Sequence, residues 1–131
     1  MNTPLGSGVP GRRMEVQVFG VRKSADTRKA LRFFAERRVT VHFVDLVVRA
    51  ASPGELRRFA ERFGVAALVD RDSRRFADLG LGAAQLGDAA WLVRLAAEPL
   101  LLRMPLVRAG SRLTVGAAED VWRLWVDQGQ R

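Results

Sequence analysis

The sequence predicts an α/β fold with a mixed four-stranded sheet and a helical insertion at its centre, and three observations carry that prediction. Strand, helix and strand patterns follow one another over residues 15–45. Two short strands, a turn between them and a closing helix occupy residues 100–127, and the stretch from 52 to 97 reads as helices alone. An order β-α-β, helices, β-β-α is that of one sheet with helices packed on it.

Residues 15–19 (EVQVF) alternate polar with apolar and are rich in β-formers, which makes them the first strand. A helix follows from about Asp26, with Thr27, Ala30, Leu31 and Phe34 recurring on one face and Arg28, Lys29 and Arg32 falling outside it. Residues 39–45 (VTVHFVD) form a second strand, far enough on to return parallel to the first through a right-handed crossover. Ser52, Pro53 and Glu55 then spell a helix start: a cap, a proline at the first position and a carboxylate three residues after the cap. That helix stops at Gly64. A shorter helix at 73–79 breaks at Gly80, and a longer one at 87–97 ends before Pro99. Residues 100–107 (LLLRMPLV) read as a buried strand whose proline requires an edge or an irregularity, and 112–115 (RLTV) as its hairpin partner across Ala109, Gly110 and Ser111. Val121, Trp122, Leu124 and Trp125 mark the last helix, 119–127.

At 131 residues, 48% of them hydrophobic, the chain suits a single domain, expected over residues 14–131. Residues 1–13 (MNTPLGSGVPGRR) are expected to be a disordered extension with neither signal peptide nor membrane anchor, and the protein to be cytoplasmic. There is no cysteine, which excludes disulfides and any chemistry that needs a thiolate in this chain. His42, the one histidine, is expected to point outward from its strand; neither a metal site nor a cofactor is expected. The net charge of +8 invites a nucleic-acid reading. Against it, the cations are nearly all arginine, acids are interspersed among them, and no RNP-like strand or Gly-rich KH loop accompanies them. A solvated basic surface is the simpler account.

Ser24 and Thr27 at a helix start read as capping residues whose oxygens accept first-turn N–H groups. The functional alternative is an anion site in which the helix N-terminal amides, Arg22, Lys23 and Arg103 hold a phosphate or carboxylate. Asp26 opposes it, since a first-turn carboxylate already occupies the positive end of the helix dipole. Trp91, Trp122 and Trp125 are expected in the core. Phe33 and Phe34 point about 100° apart on their helix, which leaves one of them as a partly exposed contact residue.

The chain resembles the ArsC/Spx group of thioredoxin-like proteins. The likeness rests on the order of several markers: a strand ending in Phe19 with a loop and Arg28-Lys29-Ala30 after it, an arginine-rich turn leading into Arg75-Phe76-Ala77-Asp78-Leu79-Gly80, the segment 99–105 (PLLLRMP), and Val115-Gly116 before the last helix. The resemblance implies a thioredoxin-like fold and a cis peptide bond before Pro105. The group contains glutaredoxin-coupled arsenate reductases and Spx-type regulators that dock on RNA polymerase.

The departures bear on function. Ser24 stands at the redox-cysteine position and Thr27 where the second cysteine of a CxxC version falls; Met104 replaces the arginine before the late proline, with Arg103 one position earlier; and Asp70, beside Arg71, stands where reductases carry an oxyanion-binding arginine. A serine hydroxyl forms no mixed disulfide with glutathione. The expectation is a non-catalytic, regulatory or protein-interaction module, in its most concrete form linked to RNA polymerase. It would retain a vestigial redox or anion site of Ser24, Thr27, Arg22, Lys23, Arg103 and Pro105, and an exposed face of Arg28, Lys29 and Arg32 for an acidic protein partner. The alternative is an arsenate reductase-like oxidoreductase or a small-anion binder.

Overall fold

A computed structural model describes residues 14–83 and 85–129; the expectation for 1–13 lies outside them. Strand β1 (Glu15–Gly20) is followed by α1 (Ala25–Glu36) and β2 (Thr40–Asp45), which lies parallel to β1 with Val18 opposite Phe43. Strands β3 (Leu106–Ala109) and β4 (Arg112–Val115) form an antiparallel hairpin, and β3 runs antiparallel to β1. The sheet order is β2-β1-β3-β4. Helices α2 (Pro53–Phe63), α3 (Val65–Leu68), α4 (Arg74–Asp78) and α5 (Asp88–Ala97) come between β2 and β3, and α6 (Glu119–Gly129) closes the described chain.

Alternation along β1 divides the core in two. Val16 and Val18 join Ala30, Phe33 and Phe34 of α1 and Trp122, Trp125 and Val126 of α6 on one face. Phe19 joins Leu56 and Phe59 of α2, Leu68 of α3, Trp91 and Leu95 of α5, and Leu106 on the other. The three tryptophans are buried, as their spacing predicts. The α2 start also follows its sequence signature: Ser52 Oγ accepts from the Glu55 N–H at 3.0 Å, and a Glu55 carboxylate oxygen accepts from the Ser52 N–H at 2.9 Å. Gly64, at φ 85°, ends it in a conformation that side chains avoid.

Two sequence expectations are corrected, and one element is added. The strand expected from residue 100 begins only at Leu106: Pro99–Leu101 forms a 3₁₀ turn, with the Leu101 and Leu102 amides donating to the Glu98 and Pro99 carbonyls. Leu102 then makes one isolated antiparallel bridge to Val69 before Pro105, which has no N–H for a ladder. Phe33 and Phe34 are both buried, because Trp122 of α6 packs beside α1 with ring centroids 5.7 and 5.4 Å from theirs. Helix α3, four residues long, falls where the sequence offered no periodicity to read.

Candidate functional site

The turn from β1 into α1 builds one wall of a cleft. The Ser24 N–H donates to the Val21 carbonyl at 3.0 Å, which closes the turn, and the Arg28 N–H donates to the Ser24 carbonyl, which opens the helix. Ser24 Oγ accepts from the Thr27 N–H at 3.1 Å with its own backbone extended, so it is the N-cap. The opposite wall is the segment before β3, where the Met104–Pro105 bond is cis. The Arg103 N–H donates to the Leu68 carbonyl and the Pro105 carbonyl accepts from Gly116, tying this segment to α3 and to the end of β4. The cleft has a volume of about 620 Å³, and Lys23, Ser24, Asp26, Asp70, Arg103 and Met104 line it.

The structure brings only part of the sequence-predicted set together. Lys23, Ser24 and Arg103 face the cleft, whereas Arg22 turns away, its guanidinium 4.8 Å from the Phe43 ring centroid. Thr27 is no cap: its side chain is fully buried against Gly20, and its Oγ1 has no hydrogen-bond partner. Pro105 is buried, with Met104 at the cleft surface in front of it. Arg28, Lys29 and Arg32 are exposed on α1, the Arg28 guanidinium donating to the Arg22 carbonyl at 2.7 Å. His42 points outward and pairs with Glu15 at 2.8 Å.

Sequence reasoning missed the far rim, where Ser73 caps α4 and Arg74 and Arg75 follow it. Arg75 grips Glu98 through Nε at 3.2 Å and Nη2 at 2.6 Å. The arginine-rich turn was the available signal, but its carboxylate partner lies 23 residues away. The Arg75 hydrogen bonds hold the Glu98 carboxyl below its ordinary pKa, and Glu98 raises that of Arg75 in return. A carboxyl depressed in the folded state stabilises above its unfolded pKa and loses that contribution as pH falls through the folded one. The melting-temperature gap between wild type and Glu98→Gln is therefore expected to be steady near neutral pH and to close below the ordinary glutamate range; a gap independent of acid would show that the pair acts by shape alone.

Chemically, the site offers no activated nucleophile. The Ser24 hydroxyl is engaged as a cap, and the one imidazole in the chain is paired with Glu15 beside a separate depression. Charge around the cleft is mixed: Asp26 and Asp70 face Lys23, Arg74 and Arg103, while Arg75 is neutralised by Glu98. Arg103 is partly committed as well, its Nε donating to the Ala67 carbonyl at 3.2 Å.

A strand, a capped turn, a helix and a facing cis-proline segment, on a four-stranded mixed sheet, define a thioredoxin-like scaffold, here without a thiol. Residues 19–124 match the ArsC family, and the chain belongs to it. Solved structures agree in fold. The YffB (PA3664) protein superposes with a TM-score of 0.77 at 23% identity, over 83% of this chain and 96% of its own. An arsenate reductase from Vibrio cholerae gives 0.74 at 22%, over 84% and 96%. An ArsC family related protein from Bacteroides fragilis gives 0.76 at 16%, over 86% and 98%. No curated protein matches the chain significantly in sequence. Among the described residues no helix is long and apolar enough to cross a membrane.

Proposed function

We propose that this ArsC-family protein is a non-catalytic binding module that acts through a protein partner. The observation that carries the reading is Ser24: at the position where the family's thiol chemistry resides stands a hydroxyl spent on capping α1, in a chain without cysteine. The exposed cations Arg28, Lys29 and Arg32 of the adjoining helix supply a docking face for acidic protein surface. RNA polymerase, the partner of the Spx-type relatives, is the concrete form of this reading, and it places the protein in the cytoplasm.

The test has two arms. With arsenate, glutathione, glutaredoxin and NADPH, the purified protein is expected to oxidise NADPH no faster than a heat-denatured control; turnover above that control overturns the reading in favour of an arsenate reductase-like oxidoreductase. Capture of RNA polymerase subunits is expected with the wild type and lost on joint reversal of Arg28 and Arg32 to glutamate. A small-anion-binding role is favoured by Lys23 on the turn into α1 and Arg103 on the opposite wall, which line the same cleft. Saturable shifts of the Lys23, Ser24 and Arg103 amides on titration with inorganic phosphate would establish it.

A further inference from the structure

Helices α1 and α6 lie side by side on the same face of the sheet, and their outward faces are opposite in character. The ring contacts of Phe33 and Phe34 with Trp122 hold them together, with the Arg123 guanidinium 6.0 Å from the Phe33 ring centroid. On α1 the outward line, opposite the buried Ala30 and Phe34, is Ala25, Arg28, Arg32 and Ala35, with Lys29 beside it. On α6 the outward line, opposite Trp122 and Val126, is Asp120, Leu124 and Asp127, with Val121 beside it. Leu124 is 58% exposed and Val121 40%, large for apolar side chains on a helix whose other apolar residues are buried. Arg123, the cation of α6 among the described residues, lies on the flank toward α1 and is paired with Glu119 and Asp120.

We infer that a second copy of this chain covers this two-helix face, related by a twofold axis along the seam between α1 and α6. Such an axis sets α1 of each copy on α6 of the other, so the arginine line meets the aspartate line twice. That is the self-complementarity a closed twofold interface demands, where residue i contacts j and j contacts i. The helices are matched in length, 12 and 11 residues. With the helices matched end to end, Leu124 at the middle of α6 falls level with Arg28 and Arg32, whose aliphatic stems cover it and take its exposed surface out of water. The proposal rests on reading Arg28 and Arg32 as a docking surface and gives that surface a second occupant, the Asp120 and Asp127 edge of another copy, which any other acidic partner would have to displace.

Sedimentation equilibrium of the full chain over a wide range of concentration tests it directly. The wild type is expected to dimerise, more weakly at high salt. Arg28→Glu with Arg32→Glu, and separately Asp120→Lys with Asp127→Lys, are each expected to weaken the dimer by roughly a hundredfold, because each sets like charges face to face. Mixing the two variants is expected to restore a dimer holding one copy of each, since both helix pairings are then complementary again. That restoration separates a broken contact from a broken fold, and unchanged circular dichroism of each variant checks the point independently. A wild type that stays monomeric at every concentration, or a mixture that stays monomeric, overturns the dimer. If polymerase capture still depends on Arg28 and Arg32 in that case, the docking face stands without it.

Discussion

Trp122→Ala is expected to melt roughly 10–20 °C below the wild type, the consequence of about 4 kcal/mol lost from the core under α1 and α6. Trp122 is fully buried, tilted against both Phe33 and Phe34, and its indole N–H donates to Thr114 Oγ1 at 2.8 Å. Truncation deletes the ring that fills the angle between the helices and the sheet. Two milder variants divide the effect. Trp122→Phe keeps a ring but leaves the Thr114 hydroxyl without its donor, and Thr114→Val leaves the indole N–H buried and unpaired at a cost of about 1–3 kcal/mol. The double variant Trp122→Phe with Thr114→Val loses both polar partners together, so its cost should fall short of the sum of the two. Additive losses would mean that the hydrogen bond contributes nothing of its own.

What could be read from the sequence was what short-range chemistry decides. The Ser24 cap, the Ser52 and Glu55 capping box, the parallel β1 and β2 and the buried tryptophans all follow from residues within a few positions of one another or from period alone. The misreadings share a different cause. Phe33 and Phe34 are both buried because Trp122, some ninety positions on, fills the space beside them. Arg22 leaves the cleft because Phe43 of β2 offers its ring, and Arg75 joins the far rim because Glu98 fixes it there. Residues 100–102 have the composition of a strand, but Pro99 starts a turn and Pro105 interrupts the ladder, so only the part beyond Pro105 pairs with β1. In the cleft, the missing thiol was plain from the composition, while the balance of Asp26 and Asp70 against Lys23, Arg74 and Arg103 depended on which loops the fold brings together.

Thr27 shows how tightly the turn that carries Ser24 is packed, and from it comes the second large effect. A Cβ built on Gly20, the last residue of β1, would lie 2.4 Å from Thr27 Oγ1 and 2.7 Å from its Cγ2. Real Cβ atoms do not approach so closely, and Thr27 has no exposed direction in which to retreat. Gly20→Ala is therefore expected to cost about 3 kcal/mol, because either the helix start moves off the strand or Thr27 leaves its rotamer. Thr27→Ala removes both clashing atoms, so in its background Gly20→Ala should cost far less, with a coupling of roughly 2 kcal/mol by double-mutant cycle. Thr27→Val separates shape from polarity: it keeps the branched outline while deleting a buried hydroxyl that bonds to nothing, and is expected to be neutral or stabilising by about 1 kcal/mol. It should give Gly20→Ala no relief, since the clashing volume remains. Additive Gly20 and Thr27 effects would show that the clash does not set the cost of Gly20→Ala, and a clearly destabilising Thr27→Val would show that the hydroxyl does more than occupy space behind the turn.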